Sequence, residues 1–73
     1  MKFEVGSIIK ITDIKLLYQY TNKISFNKSY IVMKTIYENN NVIDLVILDN
    51  NNNDFNVYPK ECSLLNKRER PLP

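Results

Sequence analysis

The sequence predicts a small all-β domain built as a five-stranded antiparallel sheet, and three observations predict it. Short runs rich in Ile, Val, Tyr and Phe recur along the 73 residues, each bounded by polar clusters. Two of those clusters, Glu38-Asn39-Asn40-Asn41 and Asn50-Asn51-Asn52-Asn53-Asp54, read as hairpin turns, because Asn tolerates left-handed backbone angles. The composition holds eleven Asn and nine Ile but no Ala, so the best helix former is missing while strand formers abound. The excess of Asn, Ile and Lys also has the look of an AT-rich genome.

The first strand is expected over Val5 to Thr12, with Val5, Ile9 and Ile11 on one face and Ile8, Lys10 and Thr12 on the other. Gly6 is the only glycine, and its place at a strand start implies a bulge or a positive φ. The segment Asp13 to Ser29 is the longest connection, a folded loop with a helical turn at Ile14 to Tyr18. Strands two and three run from Tyr30 to Tyr37 and from Val42 to Asp49, paired across the first Asn turn. A short fourth strand, Phe55 to Tyr58, pairs back across the second turn. It stops at Pro59, which has no amide hydrogen to donate. One turn through Lys60-Glu61-Cys62 leads to a last strand, Ser63 to Asn66. The core is expected to contain Ile9, Ile11, Val32, Val46, Leu48 and Val57.

At 73 residues there is room for one domain, residues 1–66, followed by a basic, proline-ended tail at 67–73. A domain this short has about 3–5 kcal/mol of net stability and little interior for a substrate. There is no His, one Cys and no Trp, so imidazole acid/base chemistry, a Cys-His nucleophile and a Cys/His zinc site are excluded by count. The expectation is a protein that is not an enzyme and carries no cofactor. The lone Cys62 cannot form an internal disulfide, Met1-Lys2-Phe3-Glu4 lacks a signal-peptide core, and no apolar run approaches membrane-spanning length. A reducing cytoplasm is therefore the expected setting.

In Phe55-Asn-Val-Tyr-Pro-Lys-Glu-Cys-Ser-Leu-Leu65, a strand, a Pro, one 3₁₀ turn and a final strand follow the second hairpin. Together with the long first connection, this order resembles a Src-homology-3-like barrel. Phe3-Glu-Val-Gly-Ser-Ile-Ile-Lys-Ile-Thr12, Asn27-Lys-Ser-Tyr-Ile-Val32 and the acidic, Asn-rich turn are similar to small phage-encoded proteins of this type. The sequence departs at Asn27 and at Asn52 or Asn53, where that pattern prefers Gly. The resemblance spans about residues 3 to 66 and implies a binding module, since such barrels serve many unrelated partners. A phage use implies inhibition or modulation of a host protein or defence complex by surface occlusion, such as a CRISPR effector or another anti-phage system. Polyproline recognition is disfavoured. Pro59 matches the turn Pro of signalling members, but Trp is absent, Cys62 stands where a groove Tyr would be, and Tyr18-Gln19-Tyr20 supplies only part of the first aromatic pair.

Formal charge is only +2, yet it is unevenly spread. Residues 10 to 34 carry five lysines against Asp13, whereas residues 38 to 61 carry five carboxylates against Lys60. The candidate partner-binding residues are Tyr18, Tyr20, Lys15, Lys23, Lys28, Tyr37 and Tyr58. Tyr18 and Tyr20 stand out because they lie in the long loop among Lys15 and Lys23, away from the strand pattern, and one of them is expected to be exposed. Tyr30, with one of Tyr37 or Tyr58, reads as core or barrel edge instead. An exposed Tyr among lysines suits a protein interface, and it also suits a nucleic-acid platform on the basic 10–34 face. A larger host protein is the favoured partner. Nucleic acid and a structural role in a virion are the alternatives, and a membrane partner is not expected. For acid/base work or a hard metal, Asp44, Asp49, Asp54 and Glu61 form the best constellation. Asp49 to Asp54 has some likeness to a calcium loop but lacks its Gly and its bidentate Glu, so a hairpin turn is the better reading.

Overall fold

A computed structural model describes residues 3–66, so the predicted basic tail lies outside them. The described residues are all-β apart from two short helical pieces. The strands are β1 (Ile8–Ile11), β2 (Ser29–Glu38), β3 (Asn41–Leu48), β4 (Asp54–Val57) and β5 (Cys62–Asn66). Helix α1 (Ile14–Gln19) follows β1, and one 3₁₀ turn (Pro59–Glu61) precedes β5. All neighbours are antiparallel in the order β4-β3-β2-β1-β5, so among the described residues β4 and β5 are free edges and the sheet does not close on itself.

Each connection has a local cause. Asp13 caps α1, its Oδ1 accepting a hydrogen bond from the Leu16 amide at 3.1 Å. Asn39 and Asn40 both adopt positive φ, 55° and 68°, which is the two-residue turn whose twist matches a hairpin. Asn52 takes φ 64° in the second loop, so Asn supplies the left-handed residue there, where Gly is the usual choice. Gly6 sits at φ 96°, as its place in the sequence predicted. Its amide donates to the Val32 carbonyl at 2.8 Å, and the Val32 amide donates to Ser7 at 2.9 Å, so the N-terminal segment lies along β2.

The first strand is shorter than expected: it begins at Ile8, and Val5 is exposed rather than on the core face. The core is Ile9, Ile11, Ile24, Tyr30, Val32, Leu45, Ile47 and Val57, with Cys62 at its margin. On β3 the inward face is therefore Leu45 and Ile47, and the expected pair Val46 and Leu48 is only half-buried on the other side. Irregularities between Val32 and Lys34 and between Ile36 and Tyr37 fix this register.

The long connection is held in two ways. Ile24 inserts into the core, and behind it the Tyr30 hydroxyl accepts from the Ser25 amide at 2.7 Å and donates to Asn50 Oδ1 at 2.9 Å. Asn50 Nδ2 donates to Ser25 Oγ at 3.0 Å, and the Asn50 amide donates to the Lys23 carbonyl at 2.8 Å. This closed set of bonds fastens the connection to the β3–β4 loop, and with it the wall of the groove described next.

Candidate binding groove

Helix α1 and the turn after it present Leu16, Tyr20 and Lys23 towards β4. Facing them are Asp44 of β3 and Asp54, Phe55 and Asn56 of β4, with Tyr58 and Glu61 of the 3₁₀ turn completing an open hollow of about 450 Å³. The Tyr20 ring meets Phe55 edge-on, with centroids 5.2 Å apart and an interplanar angle of 77°. Asp44 is oriented by its partners: Oδ1 accepts from the Leu45 amide at 3.0 Å and Oδ2 from Asn56 Nδ2 at 2.7 Å. Glu61 Oε1 accepts from the Tyr58 amide at 2.8 Å, which fixes the 3₁₀ turn and leaves the second carboxylate oxygen free of that bond. The lining thus combines three aromatic rings with three carboxylates and one ammonium group.

Of the seven residues singled out by sequence, the fold brings Tyr20, Lys23 and Tyr58 together here. It leaves the others apart. Tyr18, 79% exposed, lies over a second, more apolar hollow with Ile14, Leu17 and Phe26, so Tyr18 is the exposed member of the i, i+2 pair and Tyr20 the packed one. Lys15 is exposed on α1, and Lys28 sits above the Tyr30 ring with its Nζ 5.9 Å from the centroid. Tyr37 is exposed near the β2–β3 turn. Tyr30 is the tyrosine that enters the core, whereas Tyr37 and Tyr58 are each more than half exposed, so neither is its partner there.

The acidic constellation divides in the same way. Asp44, Asp54 and Glu61 line the groove, but Asp49 is buried in its own turn, where Oδ1 accepts from the amides of Asn51 at 2.8 Å and Asn53 at 3.0 Å. The bond from Asn53 holds its carboxyl below the usual carboxylate value against the cost of burial, and the Asn51 amide and the Lys23 charge act in the same direction. Among the described residues no three His, Cys, Asp or Glu side chains are placed to share a metal ion. The Cys62 thiol is pushed up to about 11 by burial and then by the Glu61 charge, which makes it a poor nucleophile at neutral pH.

Sequence reasoning missed part of the groove and one whole surface. The groove residues Leu16, Phe55 and Asn56 carried no signal of their own. On the outer face of β2, Ile31 and Met33 are about half exposed beside Ile8, which pairs with Ile31. Lys10 of β1 lies over the Phe26 ring at 5.1 Å. The clue to that face was the run Tyr30 to Met33, apolar at four successive positions and so on both sides of a strand. Comparison with known proteins returned no matching family model, no matching curated protein and no matching solved structure. Among the described residues no helix is long and apolar enough to cross a membrane.

Proposed function

We propose that this chain is a non-catalytic binding module of Src-homology-3-like type, whose aromatic and acidic groove takes a basic segment of a larger protein. The observation that carries the reading is the lining itself: Tyr20, Phe55 and Tyr58 offer flat apolar contact where Asp44, Asp54 and Glu61 outnumber Lys23. The strand order, the long first connection and the 3₁₀ turn before β5 support the fold assignment. Inhibition or modulation by occlusion fits the size. A standard interface takes about 800 Å² from each partner, roughly a sixth of this chain's 5090 Å². The likeness to phage-encoded barrels supports a host protein, such as a component of a defence complex, as the target. A nucleic-acid partner would need a basic face, yet Lys23 of the 10–34 block stands among the groove carboxylates and Lys10 and Lys28 border another hollow.

Affinity capture from nuclease-treated host lysate, with tagged wild type, Asp54→Lys, Tyr58→Ala, Tyr18→Ala and Lys28→Glu run in parallel, tests this. A bound protein that disappears with Asp54→Lys and Tyr58→Ala but survives Lys28→Glu supports the groove. A partner lost only with Lys28→Glu, or only without nuclease treatment, rejects it.

A further inference from the structure

Resting on the groove reading above, we infer that the basic segment enters as an added strand, hydrogen-bonded to the free edge of β4. Among the described residues β4 has a neighbour on one side only, since β3 is its sole strand partner and it ends the order β4-β3-β2-β1-β5. In an antiparallel pair, successive residues point their N–H and C=O groups alternately towards and away from the partner. Two of the four residues of β4 therefore turn both backbone groups outward.

The edge faces the groove. Asp54, Phe55 and Asn56 are consecutive, and side chains along a strand alternate between faces. Phe55 lies on the core side of β4 while Asp54 and Asn56 lie on the exposed side, and all three line the hollow, so it is reached from both faces of β4 and takes in its edge. The opposite wall is formed by Leu16, Tyr20 and Lys23, and the Tyr20–Phe55 contact sets the separation at that end. An incoming strand lying beside β4 sends alternate side chains to opposite sides, one set towards the carboxylates Asp44 and Asp54 and the other towards the aromatic wall.

The occupant is fixed by charge as well as by the edge. A second copy pairing β4 with β4 would place two Asp54 carboxylates and their acidic surroundings on the same short ribbon, which is unfavourable. A basic, extended segment of another polypeptide meets the same edge with opposite charge. This is recognition by strand addition: backbone bonds supply affinity, and alternate side chains supply selectivity.

The test uses wild-type protein and a capped peptide of alternating lysine and threonine, about nine residues long, against the ~13 Å length of β4. Two further versions carry N-methyl groups on the lysine amides or on the threonine amides, and a glutamate–threonine peptide is the charge control. Calorimetric titration is expected to show binding of the lysine peptide and none of the glutamate peptide. N-methylation of one alternate set should weaken binding roughly fivefold or more, the effect of losing about one backbone bond, while the other set changes little. Equal sensitivity of the two sets, or none in either, overturns strand addition while leaving a charge-selective groove. Failure of the unmodified lysine peptide to bind overturns the groove reading and the inference with it.

Discussion

Replacing Tyr30 by Phe should destabilise the protein far more than the loss of one oxygen at a strand position suggests. The ring is 4% exposed and stays in place, so packing is conserved. The hydroxyl, however, is the acceptor for the Ser25 amide at 2.7 Å and the donor to Asn50 Oδ1 at 2.9 Å. Its removal leaves the Ser25 amide without its acceptor and Asn50 Oδ1 without its donor in a partly buried site, at a cost of about 1–3 kcal/mol. That is a large share of the ~3–5 kcal/mol expected for a domain of this size. With a urea slope near 1 kcal/mol per molar for so small a chain, the midpoint should fall by about 1–3 M at unchanged slope. Amide exchange should quicken first at Ser25 and Asn50, before the core strands, because the bonds lost are those that fasten the connection. A midpoint shift below about 0.3 M would show that the Tyr30 hydroxyl is dispensable and that Ile24 and the two bonds from Asn50 suffice to hold the groove wall.

Other outcomes follow from burial and charge. Ile47→Ala should cost about 2–5 kcal/mol and leave the domain mostly unfolded in a thermal melt, whereas half-buried Leu48→Ala should cost less than about 1.5; the reverse order would restore the face first read from sequence. Because the Asp49 carboxyl lies below its usual value of 3.8 in the folded chain, its contribution is fully present above about pH 4 and is lost as pH falls through the folded value. Melting temperature should therefore drop less between about pH 5 and pH 2 in Asp49→Asn than in wild type, and parallel curves would contradict the assignment. Cys62, pushed up to about 11 and 8% exposed, should resist thiol reagents at about pH 8 until urea unfolds the chain, so rapid labelling of native protein would count against its burial.

The strands were legible because their signals are local. Asn39-Asn40 demands a tight hairpin, Pro59 ends β4, and Asp13 stands where a helix cap belongs. The inward face of β3 was not, and the reason lies in Val42 to Asp49. Both parities of that run are apolar, and each carries one carboxylate, Asp44 on the side of Val46 and Leu48, Asp49 on the side of Leu45 and Ile47. Alternation cannot break such a tie; the turn and the irregularities in β2 break it. The groove was legible by residue type alone. Tyrosines and lysines singled out as interface candidates included Tyr20, Lys23 and Tyr58, and the carboxylate constellation Asp44, Asp49, Asp54 and Glu61 included all but one that the groove brings together. Their meeting depends on pairings between residues distant in sequence. The bond from Tyr30 to Asn50 had no sequence signal, since Asn50 is one of four successive asparagines that read alike.

The most direct test of the central claim is to map where a basic strand binds. Isotope-labelled protein titrated with the lysine–threonine peptide should show amide shifts that saturate together at residues 16–23, at Asp44 and across Asp54 to Glu61, the walls of the hollow. Ile8, Lys10, Ile31 and Met33, on the outer face of the sheet, should stay unmoved. Shifts concentrated on that outer face, or around Tyr18 and Phe26 alone, would contradict the account and move the binding surface there.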